Sequence, residues 1–321
     1  MPKFIMLPPQ NERTRSWAAR LVEALPDYTV VTPEDAEETR REIVDADAAY
    51  GTLPADLLPL AQNLRWLQSP AIAPPTGFYY PALAEHPVVI ANPRGTFNDH
   101  IGQHIMMYVL GLARGLPYYM DAQRNRRWDK DARQSAYIDL GSATALIVGV
   151  GGIGQEAAKL CNAFGMRVIG VDARWEFDAP AVERHGPEEV DALLPEADFV
   201  ILTIPHTPQT EGTWNAARFA HMKAGAHFIN IGRGKTTVLD DLVAAIEAGK
   251  IAGAGLDVFE EEPLPADHPL WLLPNVILTP HVAADGATNI SERQFQLLVE
   301  NARRFAAGEE LLNVVDKTLW Y

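Results

Sequence analysis

The chain has 321 residues, 47% of them hydrophobic, which is more than one core usually organises and favours two domains. Its 27 basic and 42 acidic residues give a formal net charge of -15, which disfavours nucleic acid and anionic membrane as partners. A single cysteine excludes an internal disulfide, no apolar run is long enough to span a bilayer, and MPKFIMLPPQ is too short an apolar opening for a signal peptide, so a cytoplasmic protein is expected.

In chain order, β-type runs alternate with helical patterns: KFIMLPP, NERTRSWAARLVEAL, YTVVTP, PEDAEETRREI and DAAYGTL, then PADLLPLAQ, RWLQSP and HPVVIANP. Such alternation predicts a parallel sheet covered by helices, so residues 1–97 read as one α/β unit. A helical stretch, NDHIGQHIMMYVLGLARGLP, leads into a second series of six strands: ALIVGVG, RVIGVD, DFVILTIP, HFINIG, AGAGLDVF and VILTPH. The last pattern, ISERQFQLLVENARRFAAGEELLN, is a long amphipathic helix. Because the second sheet is already supplied with strands, this helix is expected to return to the first unit. The expected domains are therefore 1–97 with 288–321, and 98–287.

The first strand of the second series runs directly into a glycine-spaced turn, ATALIVGVGGIG. Gly149 allows the tight turn, Gly151 lets backbone N–H groups approach a pyrophosphate, and Gly154 lets the next helix pack on the sheet, with Gly152 and Ile153 between them. Helix N-termini of this kind favour anions. The strand RVIGVD then ends at Asp172, 18 positions beyond Gly154, placed to accept hydrogen bonds from an adenosine ribose. Strand, turn, helix, strand and acid in this order predict a dinucleotide site. Asp172 opposes a 2′-phosphate and favours NAD, while Arg174 can instead greet a phosphate, so NADP stays open.

Three later residues, Arg233, Glu262 and His281, each follow a strand of the second series, at the sheet edge where α/β proteins bind ligands. Converting a keto acid to a hydroxy acid requires a hydride on carbon, a proton on oxygen and a fixed positive partner for the carboxylate. Arg233 offers a permanent charge in a planar fork. His281 is suited to proton transfer near neutrality, and Glu262 can hydrogen-bond the imidazole and stabilise its protonated form.

The segments NIGRGKTTVLDDLVAAIEAGKIAGAGLDVFEEEPLP and HPLWLLPNVILTPH resemble the D-isomer-specific 2-hydroxyacid dehydrogenase family, over nearly the whole chain. The resemblance implies a Rossmann-type doubly wound parallel sheet plus a smaller flavodoxin-like α/β substrate domain, discontinuous in sequence. It implies that Arg233 of the GRG motif binds substrate, that Glu262 before Pro263 and His281 of TPH complete the catalytic set, and that Asp257 holds the nicotinamide amide. PHTPQT resembles the family's PLTPxT loop, which implies cofactor contacts at Pro205 and Thr210, with His206 where leucine is more usual. Ile231 and Gly232, beside the arginine, fall in the same cofactor group. The family further implies a homodimer built largely from nucleotide domains and a hinge near residues 98 and 287. The implied activity is reversible hydride transfer between NAD (NADP possible) and C2 of a small 2-keto or 2-hydroxy acid, with glyoxylate and hydroxypyruvate as candidates.

Departures from the family pattern fall mainly in the first unit. Where relatives have a glycine-containing SxGxD loop, this chain has SPAIAPPTGFYY, whose prolines supply no N–H. Ala71, Ile72 and Ala73 remain as backbone donors for a substrate carboxylate, while Phe78, Tyr79 and Tyr80 either line the pocket or pack. Arg94 either recruits a second anionic group or caps a loop. Gln103 stands where many relatives have glutamate. His100 and His104 have i, i+4 spacing without the HExxH pattern or a cysteine partner, so no metal is expected. Two other readings stay open: a dinucleotide-sensing, corepressor-like binding protein without turnover, and a formate- or phosphite-type dehydrogenase of the same fold.

Overall fold

The computed structural model describes residues 1–72, 77–130, 137–175, 181–285 and 289–317. The chain divides into two compact units, Met1–Thr96 with Thr288–Tyr321, and Phe97–Ala287. In chain order the first half carries β1 (Lys3–Met6), α1 (Glu12–Ala24), β2 (Thr29–Val31), α2 (Ala36–Glu42), β3 (Ala48–Tyr50), β4 (Trp66–Gln68), α3 (Pro81–Glu85), β5 (Val89–Ala91), α4 (Asn98–Ala113) and α5 (Leu116–Arg124). The remainder carries β6 (Thr144–Val148), α6 (Gly152–Ala163), β7 (Arg167–Val171), β8 (Glu183–His185), α7 (Val190–Leu193), β9 (Phe199–Leu202), α8 (Ala216–His221), β10 (His227–Asn230), α9 (Leu239–Glu247), β11 (Gly253–Leu256), β12 (Val276–Leu278) and α10 (Ile290–Ala307).

In the first unit five parallel strands lie in the order β2-β1-β3-β4-β5, the flavodoxin-like arrangement. Both faces of such a sheet are covered, which is why β3 and β4 are buried at every position instead of alternating. Helix α1 starts at a capping box in which Thr14 N–H donates to Asn11 Oδ1 at 3.0 Å and Asn11 N–H donates to Thr14 Oγ1 at 2.8 Å. It buries Trp17, Ala18 and Leu21. The C-terminal helix α10 adds Phe295, Leu298, Val299 and Ala302, spaced to form one face, to the core that holds Trp17 and Trp66.

Polar contacts fix that return. Asn301 is fully buried, donates to Gln68 Oε1 and to the Leu312 carbonyl, each at 3.1 Å, and accepts from Leu312 N–H at 2.8 Å. The Tyr28 hydroxyl donates to the Ala302 carbonyl at 2.6 Å, and Arg20 lies 3.8 Å from the Phe295 ring centroid. The C-terminal segment thus belongs to the first unit's core.

The second unit is a seven-stranded parallel sheet in the order β12-β11-β10-β9-β6-β7-β8. Read from β8, this is the Rossmann order with one further strand at the far edge. The strand not among the six expected is β8 itself. Its residues, Glu183, Arg184 and His185, lie at a sheet edge and show no apolar signal. The single helical stretch expected after residue 98 is also two helices, because Gly115 adopts φ 65 and Pro117 opens the next one. Among the described residues no helix is long and apolar enough to cross a membrane.

Candidate active site

The strand order of the second unit reverses between β6 and β9, so the loops after these two strands flank the crevice where such sheets hold ligands. The loops touch one another: Thr203 Oγ1 donates to the Gly149 carbonyl. After β6 the chain turns at Gly149, with φ 96, and enters α6 with Gly151 as N-cap and no side chain capping the helix. A Cβ on Gly154 would sit 2.0 Å from the Gly149 carbonyl oxygen, so only glycine permits this turn to close on its helix. A Cβ on Gly151 would meet nothing within 4 Å. An uncapped helix terminus beside open space suits a pyrophosphate.

Asp172, directly after β7, braces the same turn from the neighbouring strand. Its Oδ2 accepts from Val150 N–H at 2.6 Å and its Oδ1 from Arg174 N–H at 2.8 Å. Ile153 packs against the core of this unit, and a Cβ on Gly232 would lie 2.6 Å from the Ile204 carbonyl oxygen, which brings the loop after β10 against the loop after β9. Within the latter, Thr210 Oγ1 donates to the Pro205 carbonyl and accepts from Thr207 N–H, each at 2.8 Å, so its hydroxyl folds the loop. His206, the departure in this loop, pairs with Glu211 at 3.0 Å.

Arg233 leaves β10 in extended backbone conformation and is partly buried, with Nη1 donating to the Gly232 carbonyl at 2.6 Å. Desolvation pushes its guanidinium below the ordinary arginine value, and the charge of Glu262 partly offsets this. The loop is shaped by Asn230, a buried residue that sequence reasoning passed over. Its Nδ2 donates to the Arg233 carbonyl at 3.2 Å and to Thr237 Oγ1 at 3.0 Å, and its Oδ1 accepts from Gly232 N–H at 3.0 Å. An amide side chain closing a strand just before the GRG turn, HFIN, was the available signal. Gly234 then abuts the loop after β11, where a Cβ would fall 1.8 Å from the Phe259 carbonyl oxygen.

That second loop carries Glu262. Its Oε1 accepts from Phe259 N–H at 3.0 Å, which fixes the carboxylate, and its Oε2 lies 2.7 Å from His281 Nδ1. His281, after β12, has φ 55, a left-handed conformation that is costly for a side chain with a Cβ and that collects at functional sites. With Nδ1 held by the carboxylate, Nε2 is the nitrogen left for proton exchange, half-exposed on the loop. Asp257, at the end of β11, is buried beneath this loop: Oδ1 accepts from Thr279 Oγ1 at 2.5 Å and Val282 N–H at 3.0 Å, and Oδ2 from Ala283 N–H at 3.0 Å.

Residues 106–283 match the family described as D-isomer specific 2-hydroxyacid dehydrogenase, NAD binding domain. The chain belongs to this family. It is 30% identical over 302 residues to a hydroxypyruvate reductase of Blautia hydrogenotrophica, covering 90% of this chain and 91% of the relative. It is 33% identical over 259 residues to glyoxylate/hydroxypyruvate reductase B of Citrobacter koseri, covering 78% of this chain and 79% of the relative. Among solved structures, an NADPH-dependent glyoxylate/hydroxypyruvate reductase from Sinorhizobium meliloti, in complex with NADP and sulfate, superposes with a TM-score of 0.80 at 29% identity, covering 100% of each chain. This family member is accordingly an NAD(P)-dependent oxidoreductase of small 2-keto and 2-hydroxy acids.

The remaining candidates lie in the first unit. Ala71 N–H faces Ser69 Oγ at 3.3 Å, so that donor is already engaged. The Ile72 carbonyl accepts from Asn92 Nδ2 at 3.4 Å, and Asn92 Oδ1 accepts from Arg94 N–H at 3.0 Å, which ties the two loops together. Arg94 is exposed. Ala73 and position 287 of the expected hinge lie outside the described residues. Phe78 is buried in the first unit's core with Tyr79 and Tyr80 packed against it, which is the packing alternative for these rings. Among the described residues there is no cluster suited to a metal ion. His104 instead hydrogen-bonds Thr279 at 3.0 Å.

Proposed function

We propose that this family member reduces a short 2-keto acid, glyoxylate to glycolate or hydroxypyruvate to the D-2-hydroxy acid, with Arg233, Glu262 and His281 as its catalytic set. The observation that carries this reading is the 2.7 Å contact of Glu262 Oε2 with His281 Nδ1 on adjoining strand-end loops. When bound, a nicotinamide dinucleotide supplies the hydride. Arg233 holds the substrate carboxylate and polarises the keto group without exchanging a proton of its own. His281 delivers a proton from Nε2 to the carbonyl oxygen as charge develops there. Glu262 keeps the ring oriented and stabilises its cationic form. Gly149, Gly151, Gly152, Ile153 and Gly154 hold the pyrophosphate; Pro205, Thr210, Ile231, Gly232 and the remaining lone pair of Asp257 serve the nicotinamide half. Ile72, Ala73 and Arg94 are assigned to the substrate side, and Ala71 joins them only by exchanging its bond to Ser69 for one to the substrate. Absorbance at 340 nm with NADH or NADPH and 2-keto acids of graded size tests the reading: fastest turnover with the two- and three-carbon acids is expected, and turnover only with branched or aromatic acids contradicts it.

We infer NAD as the preferred nucleotide, because the Asp172 carboxylate opposes a 2′-phosphate. The expected kcat/KM ratio favours NADH about tenfold or more, and Asp172→Ser lowers that ratio at least tenfold. A wild-type preference for NADPH, the nucleotide of the Sinorhizobium relative, overturns the inference.

We further propose a homodimer through α4 and α5, where Met107 and Leu110 are exposed at 41% and 36% and Leu116 and Met120 at 47% and 41%. Adjacent apolar side chains on two helices call for cover. Light scattering is expected to give twice the 35.3 kDa chain mass, and a monomer at micromolar concentration refutes the assignment. A cytoplasmic location fits the sole cysteine, whose burial pushes the Cys161 thiol up to about 12.

A further inference from the structure

The loop that presents His281 is suspended from below. Thr279 and the pair Val282 and Ala283, on either side of the histidine, all donate to the Asp257 carboxylate at 2.5–3.0 Å. These bonds span His281, whose φ is positive. They hold a left-handed conformation that is costly for a residue with a Cβ. His281 N–H also donates to the Thr279 carbonyl at 3.1 Å, so the turn closes on itself.

Thr279 is held in turn from α4. Tyr108 OH lies 2.5 Å from Thr279 Oγ1, and His104 Nε2 lies 3.0 Å from the same atom. A hydroxyl has one proton and two lone pairs. The Thr279 proton goes to Asp257, which leaves its two lone pairs for the Tyr108 hydroxyl and for His104 when that ring carries its proton on Nε2, a nitrogen that also lies 3.2 Å from Tyr108 OH. Burial keeps the Tyr108 phenol protonated, well above its ordinary value, as a donor must be. Burial also lowers His104 below the usual histidine value, with the Asp257 charge partly opposing, which favours the neutral ring. The result is a partly buried chain of hydrogen bonds running from α4 through Thr279 and Asp257 to both flanks of His281.

We propose that Thr279, Tyr108 and His104 are positioning residues that hold His281 in register for proton transfer, acting through Asp257. The proposal rests on the reading of His281 as the proton donor. His104 thereby acquires a structural role, and Tyr108, four residues further along the same helix face, completes it.

Steady-state kinetics of Thr279→Val, Thr279→Ser and Tyr108→Phe, alongside His281→Gln and with NADH affinity measured by fluorescence, test it. Thr279→Val is expected to lower kcat about ten- to a hundredfold, with the NADH Kd within about twofold and the keto-acid KM little changed. Thr279→Ser, which keeps the hydroxyl, is expected to recover kcat to within about threefold of wild type, and Tyr108→Phe to lose about three- to tenfold. A wild-type kcat in Thr279→Val, or a Thr279→Ser variant as impaired as Thr279→Val, overturns the proposal. If His281→Gln is inactive while Thr279→Val and Tyr108→Phe are not, positioning alone fails. If His281→Gln is itself fully active, the underlying reading fails.

Discussion

His281→Gln is expected to lower kcat for 2-keto acid reduction by about a thousandfold, while the NADH Kd stays within about twofold of wild type. The argument is geometric first. Nδ1 is committed to Glu262 at 2.7 Å, so a single nitrogen, Nε2, remains to deliver the proton. Glutamine offers an amide in a similar place but no proton at a useful pKa, and a positioned general acid is worth about 10²–10⁴ in rate. Because the glycine turn after β6 is built by a different loop, nucleotide affinity is expected to survive. Single-turnover absorbance with saturating NADH, plus fluorescence titration of the nucleotide, separates the two quantities. A kcat within tenfold of wild type would remove His281 from the chemistry.

Arg233→Lys carries the second large effect, a loss in kcat/KM of about a thousandfold that appears in KM as well as kcat. Two charge-assisted bonds from one guanidinium to a carboxylate are worth roughly 4 kcal/mol together, or about three decades at 1.36 kcal/mol per decade. Lysine keeps the charge but not the fork. The environment sharpens the loss, since desolvation already lowers the affinity of this site for a proton and the charge of Glu262 offsets it only in part. The cation therefore needs a substrate anion more than a solvated arginine would. Keto-acid saturation curves for the variant measure this, and a KM unchanged from wild type would show that the carboxylate is held elsewhere.

Much of this was legible in the sequence because the features concerned are local. The run TALIV followed by the glycine turn, and the strand ends that precede Arg233, Glu262 and His281, are each contained within a dozen residues, and burial on both sheet faces makes the central parallel strands predominantly apolar. Strand β8 was not legible, since Glu183, Arg184 and His185 pair along one edge through the backbone and no side-chain pattern records that. The break between α4 and α5 turned on one glycine with positive φ inside an otherwise helical stretch. The supports of the site were hidden for a third reason. Thr279 and Tyr108 are 171 residues apart, and Thr279 and Asp257 22 apart, so their partnership exists only after the β11 and β12 strand ends and α4 have been brought together. On the substrate side the departure at SPAIAPPTGFYY was visible, yet the engagement of Ala71 N–H by Ser69 is a property of the folded loop.

The most direct test of the whole account is oxidation of D-glycerate and L-glycerate, separately, by the wild-type protein with NAD and with NADP, followed as the rise in absorbance at 340 nm. Reduced nucleotide forming with the D isomer and not with the L isomer is the predicted result, since it requires hydride transfer at C2 of a 2-hydroxy acid from a single face. Equal rates with both isomers, or no nucleotide reduction with either despite tight dinucleotide binding, would contradict it.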